Sequence, residues 1–171
     1  MKKLKSVYII LIISVLNMSF YQTQYTLYED AKHGVSIKHL SNWTFVENPK
    51  TAFIFIRPME EQGQKFKENI NLTVVDIGNA KLSKLVEMSL KNMDKLLVDY
   101  KKIGTEYLKI DSKEYAKTTY THNMQGLPLK VMLYQVMKNN KGYNLTCTST
   151  GDTFNKYAPV FEEMIKSFDI K

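Results

Sequence analysis

The spacing of apolar residues changes period three times along this chain, and that alternation restricts the fold more than any other feature. Two-residue spacing puts alternate side chains on one face of a strand, whereas three- and four-residue spacing puts them on one stripe of a helix. Val35, Ile37 and His39 share a face within Val35 to Leu40. Ala52 to Ile56 is an unbroken apolar run that stops at Arg57-Pro58, the pattern of an inner strand covered on both faces. Glu60 to Lys67 is polar and reads as a loop, after which Asn69 to Asp76 alternates, with Ile70, Leu72 and Val74 together.

Gly78-Asn79 then punctuates the chain, and the period lengthens. Leu82, Leu85, Val86, Ser89, Met93, Leu96 and Leu97 form one stripe of a helix over about 80–99, with Asn79 as its N-cap. Such a stripe packs a helix onto a core. Period two returns in Ile103 to Ile110 and Glu114 to Thr121, paired across Asp111-Ser112-Lys113. Leu127 to Met137 is a long strand, apolar on both faces. After the turn cluster Asn139 to Gly142, Tyr143, Leu145 and Cys147 share a face of the next strand. Phe154, Tyr157, Phe161, Met164, Ile165 and Phe168 make a second helical stripe, opened by Gly151-Asp152, in which Pro159 predicts a kink or a start near 158. Strands joined by short turns, interrupted and closed by helices, predict an α+β domain built on an antiparallel sheet.

The N-terminus has a different character. Lys2, Lys3 and Lys5 precede the apolar stretch Val7 to Phe20, which is shorter than the roughly 20 residues of a membrane-spanning helix. Residues 1–24 read as an export signal, with a retained anchor as the competing reading, although no Ala-x-Ala cleavage pattern follows. Residues 25–171 read as a single domain, since no linker or repeat interrupts them. An exported location, periplasmic or extracellular, follows from that reading, as does transient membrane association through the N-terminal segment. The same segment alters the meaning of the charge. The formal charge is +7, but without the three early lysines 21 basic residues face 17 acidic ones, which leaves +4. Only Arg57 is an arginine, and scattered lysines without arginine forks do not make a nucleic-acid footprint.

The sequence is poor in catalytic patterns. It contains no Gly-x-Gly-x-x-Gly, phosphate-binding Gly-Lys-Ser/Thr loop, Gly-x-Ser-x-Gly, Cys-x-x-Cys or His-Glu-x-x-His. One cysteine excludes an internal disulfide framework and a Cys-rich zinc site. Glu29, Asp30 and His33 form a thin cluster that reads as loop residues, not as a metal site. Cys147 would need a histidine such as His122 brought to it before it could act as a nucleophile, and it reads as a buried, inert thiol. Glu60-Glu61 and Glu162-Glu163 are adjacent in sequence, so their side chains diverge and suit acid–base work poorly. No cofactor or metal is expected. Trp43, the only tryptophan, reads as an apolar lid at the corner after the first strand, with contact to a partner as its functional alternative. The triplets starting at Asn42, Asn71 and Asn144 match the glycosylation pattern, but matches this short arise by chance.

The order of these features resembles the PsbP-like domains, including the bacterial DcrB-like proteins. Gly34-Val-Ser-Ile, then Asn42-Trp43, then the apolar strand before Pro58 is similar to the start of such domains. Phe66-Lys-Glu-Asn-Ile-Asn-Leu-Thr-Val resembles a later strand, and Gly142-Tyr-Asn-Leu-Thr-Cys with Phe154 to Phe168 resembles the last strand and helix. His39-Leu40 departs from the tyrosine-proline that often precedes the tryptophan. The resemblance covers about 30–170. It implies an α/β/α sandwich, a central antiparallel sheet of about six strands with helices on both sides. It also implies a binding or assembly factor of the cell envelope in preference to an enzyme. The partner would be a protein, or alternatively a small apolar ligand or apolar segment carried on the sheet face. An enzyme, such as a small hydrolase, would need His122, Cys147 and nearby carboxylates to converge.

Overall fold

The computed structural model describes residues 24–171 apart from residue 61, so the expected export signal lies outside the described residues. The elements run β1 (Tyr25–Asp30), β2 (Val35–Leu40), β3 (Thr44–Phe45), β4 (Phe53–Ile56), β5 (Asn69–Asp76), α1 (Leu82–Leu96), β6 (Val98–Ile110), β7 (Lys113–Met124), β8 (Leu127–Lys138), β9 (Lys141–Thr150), α2 (Phe154–Lys166) and β10 (Asp169–Ile170). Seven strands make one antiparallel sheet in the order β3-β4-β5-β9-β8-β7-β6, and β1-β2-β10 make a second. The α+β class and the antiparallel pairing agree with the apolar periods. The strand count does not: the molecule carries more sheet than the six-strand sandwich expected. The strands that the apolar periods do not show are β1, whose burial does not alternate, and β3 and β10, which are two residues long and too short to show a period.

The two faces of the large sheet bury different things. Phe53, Phe55, Ile70, Leu72, Tyr115, Met132, Tyr134, Leu145 and Cys147 pack with Tyr157, Phe161, Met164 and Ile165 of α2 and with Val35 and Ile37 of β2. On the opposite face, Tyr120, Val131 and Leu133 pack with Met93, Leu97 and Tyr100. The long strand β8 is therefore apolar on both sides because α1 covers one face of it and the main core covers the other. Helices do flank the sheet on both sides. However, α1 packs chiefly against β6, β7 and β8. β4 is an inner strand, between β3 and β5, but Phe53 and Phe55 are buried while Ile54 and Ile56 are only half-buried, so its second face is less covered than its apolar run predicts.

Local chemistry accounts for three more departures. Asn79 lies in the turn closed by Ala80 N–H to Ile77 O, and Lys81 takes the N-cap position of α1 with no side-chain cap bond. α2 starts at Phe154 and runs through Pro159 without a late start, although the proline has no N–H to give the preceding turn. Between β8 and β9, Asn139 and Asn140 both adopt positive φ (52° and 62°), the two-residue hairpin turn that asparagine tolerates. Gly142 is thus a strand residue, and a Cβ there would sit 2.8 Å from Leu85 Cδ2. It lets α1 approach the sheet closely.

Candidate functional site

Helix α2 does not span the whole sheet face below it. Between α2 and the outer strands lies a cleft of about 430 Å³, lined by Leu108 and Ile110 of β6, Tyr134 of β8, Ile165 of α2 and a charged wall around Lys117. Strand alternation aims these apolar side chains at the cleft, and they also pack against the main core. Lys117 Nζ donates to Glu162 Oε1 at 3.1 Å, pairs with Glu106 at 3.2 Å and sits 5.6 Å from the centre of the Tyr134 ring. Burial works against the Lys117 charge, but the Glu162 and Glu106 bonds outweigh it and hold its pKa above the ordinary lysine value. Burial likewise pushes the Tyr134 phenol above its usual range. The cleft is an apolar floor beside a neutralised charge. It can hold apolar matter.

A larger cleft of about 830 Å³ opens at the end of the sheet where β6 turns into β7 and is lined by Lys81, Lys113, Glu114, Lys138 and Asp169. Two of its lysines are already engaged in structure. Lys113 Nζ donates to the Phe168 carbonyl at 3.2 Å and pairs with Asp169, and Lys138 Nζ donates to the Ile170 carbonyl. Together they pin β10 to the sheet.

Sequence spacing gave no sign of the buried pair Arg57 and Glu68, only 6% and 1% exposed. Arg57 Nε donates to Glu68 Oε2 at 2.6 Å, Thr153 Oγ1 donates to Glu68 Oε1 at 2.6 Å, and the guanidinium lies 5.1 Å from the centre of the Tyr157 ring. Backbone Arg57 N–H also donates to Glu68 O, closing the loop between β4 and β5 at its base. The pair ties that loop to the start of α2 beside a pocket of about 240 Å³. A lone arginine and a glutamate eleven positions on form no recognisable motif; only the register of β4 on β5 brings them together.

The residues singled out from sequence fall as follows. Trp43 is 3% exposed, and its ring meets Phe161 edge-on at 5.8 Å. Cys147 is buried in the main core, and burial raises its pKa well above the ordinary thiol value. His122 follows Tyr120 at two-residue spacing on β7, on the α1 side of the sheet, so the sheet itself separates it from Cys147. Asp30 Oδ2 pairs with His33 Nδ1 at 2.5 Å, while Glu29 turns to Lys171. Although burial opposes it, the His33 bonds hold the Asp30 carboxyl below the ordinary carboxylate value. Glu162 turns to Lys117 and Glu163 to Lys166, diverging as adjacent residues must. The apolar groove expected along β8 takes a different form, since Leu129, Val131 and Leu133 are buried and Tyr134 is the β8 residue that reaches the 430 Å³ cleft.

These elements define an α+β sandwich with a seven-stranded antiparallel sheet between helices. No family model matches the sequence, and no curated protein matches it. Solved structures do match. Cyanobacterial PsbP from Synechocystis is similar at a TM-score of 0.66 and 13% identity, over 90% of this chain and 96% of that one. LpqN of Mycobacterium tuberculosis, involved in cell envelope biogenesis, matches at 0.67 and 11%, over 86% and 91%. A Pseudomonas aeruginosa protein of unknown function matches at 0.61 and 16%, over 86% and 97%. The fold is PsbP-like.

Proposed function

We propose that this chain is an exported, non-catalytic accessory protein that acts by binding a protein partner in the cell envelope. In this reading residues 1–24 direct export and residues 25–171 are one domain. The observation that carries it is the disposition of the reactive groups. Cys147 is buried and separated from His122 by the sheet, Glu162 and Glu163 diverge, and Arg57 and Lys117 are held in ion pairs. Chemistry needs convergent groups, whereas a binding scaffold does not. The PsbP-like fold supports the reading, and so does the envelope role of LpqN. Among the described residues no helix is long and apolar enough to cross a membrane. The test is affinity capture from the envelope with the full chain as bait and a scrambled-sequence control. Recovery of a stoichiometric partner is expected; recovery of nothing above the control would remove the proposal's support.

A second reading, that of a carrier for a small apolar ligand, is favoured by the 430 Å³ cleft, which exceeds the roughly 300 Å³ lower bound of small-molecule sites. Titration with an apolar fluorescent probe tests it. Saturable binding that Ile165→Glu abolishes supports the carrier, and non-saturable binding dismisses it.

A further inference from the structure

The end of the sheet where α1 leads into β6 and β7 turns into β8 carries apolar side chains that the fold leaves uncovered. Leu96, the last residue of α1, is 79% exposed, and Val98, the first of β6, is 65% exposed. Register pairs Val98 with Asn123, so the exposed Met124, next along β7, lies at the same end of the sheet but on its other face. The helix points Met93 and Leu97 at the core formed with Tyr120 and Val131, so Leu96 is rotated off that core toward the surface. One exposed leucine is ordinary; three exposed apolar side chains at one end of the sheet, on both of its faces, make that end an apolar tip.

The surroundings of the patch identify what it fits. Lys91 and Lys95 in the last turns of α1, with Lys101 and Lys102 on β6, are all exposed. Lys65 lines a small cleft with Met124 and Gly126. Against these five lysines stand Asp94 and Asp99. Protein interfaces deplete lysine from the area around an apolar centre, so a protein partner is a poor fit. An anionic bilayer is a good one. Apolar tips enter the headgroup–acyl boundary to a depth of about 5–10 Å, while lysines extend their stems along them and hold their charges at the headgroups. We propose that this tip docks the molecule on an anionic lipid surface, with Leu96, Val98 and Met124 in the boundary and the lysines against the headgroups.

The test compares two positions in the same full chain. An environment-sensitive dye is attached at Leu96→Cys, or at Tyr107→Cys as a control; the buried Cys147 does not compete for it. Tyr107 is exposed and stands nine residues along β6 from Val98, about 30 Å away at strand rise and beyond the depth of insertion. Vesicles of phosphatidylcholine, with and without phosphatidylglycerol, are then added. A blue shift and quenching by brominated lipid are expected at position 96 and not at 107, on the anionic vesicles alone. Lys101→Gln should lower the docked-to-undocked ratio about fivefold, and Lys102→Gln by a similar factor. Because the N-terminal segment is common to both labelled chains, its own affinity for lipid cannot produce the difference. An equal response at both positions overturns the proposal, and so does an equal response on neutral vesicles. A response at position 96 that requires envelope protein and no lipid also overturns it.

Discussion

Replacing Arg57 with methionine removes the charge that faces Glu68 while keeping much of the side chain's volume. Glu68 is 1% exposed, so its carboxylate cannot recover a full hydration shell. Removing one member of a buried ion pair costs about 3–5 kcal/mol, because the other is left as an uncompensated buried charge. Two local details adjust that figure in opposite directions. The Thr153 hydroxyl still donates to Glu68 in the variant, which favours the low end, and the contact with the Tyr157 ring is lost, which adds about 0.5–2 kcal/mol. At about 2–4 °C per kcal/mol for a chain of this size, the midpoint should fall by roughly 6–20 °C. The double variant Arg57→Met/Glu68→Leu removes both charges and should recover most of the loss, giving a coupling of at least about 2 kcal/mol. Urea unfolding followed by circular dichroism, with Trp43 fluorescence as a second probe, measures both. A single variant within about 1 kcal/mol of the parent would refute the reasoning, as would a double variant as unstable as the sum of the two singles.

Other outcomes follow from the same packing. The His39 ring stacks on Phe55 at 3.9 Å, and burial, only partly offset by the Leu40 carbonyl, holds its pKa below the ordinary value near 6.5. A depressed histidine contributes stability that is present above the unfolded value and lost as pH falls through the folded one. The parent should therefore lose stability between pH 7 and pH 5, and His39→Phe should flatten that part of the curve; an unchanged slope in urea titrations would contradict it. Cys147 should be inert to thiol reagents until the protein unfolds, and Cys147→Ser should cost about 1–3 kcal/mol by burying a hydroxyl without a built partner. Gly142→Ala should cost about 1–3 kcal/mol through the clash with Leu85, and adding Leu85→Ala should recover only the clash, because it opens a cavity.

Sequence period located the elements that own a complete alternating face. Asn69 to Asp76 matches β5 at both ends because Ile70 and Leu72 are buried against the core while their neighbours are not. The hairpin of β6 and β7 was legible from its turn Asp111-Ser112, although β6 extends back to Val98, and β8 from a long apolar run that is buried on both faces. β3 and β10 have no period to read, and β10 forms by pairing with β2, while Lys113 bonds the Phe168 carbonyl just before it and Lys138 its Ile170 carbonyl, all interactions between residues far apart in the chain. Phe168 fitted the helical stripe by spacing, yet α2 ends at Lys166 and Phe168 leads into β10. The second face of β4 was misread because an apolar run records hydrophobicity without recording how far a covering helix reaches. The 430 Å³ cleft was illegible on similar grounds: it depends on where α2 lies across the sheet, and its charged wall joins Lys117 to Glu162, 45 positions on.

The central claim, a scaffold that works by binding a protein, is tested most directly by the native mass of the endogenous full-length product released from the envelope without cross-linking. The account predicts a complex in which this chain and a second, different protein occur in fixed ratio. A chain that runs alone at its own mass under conditions that preserve other envelope complexes would contradict it.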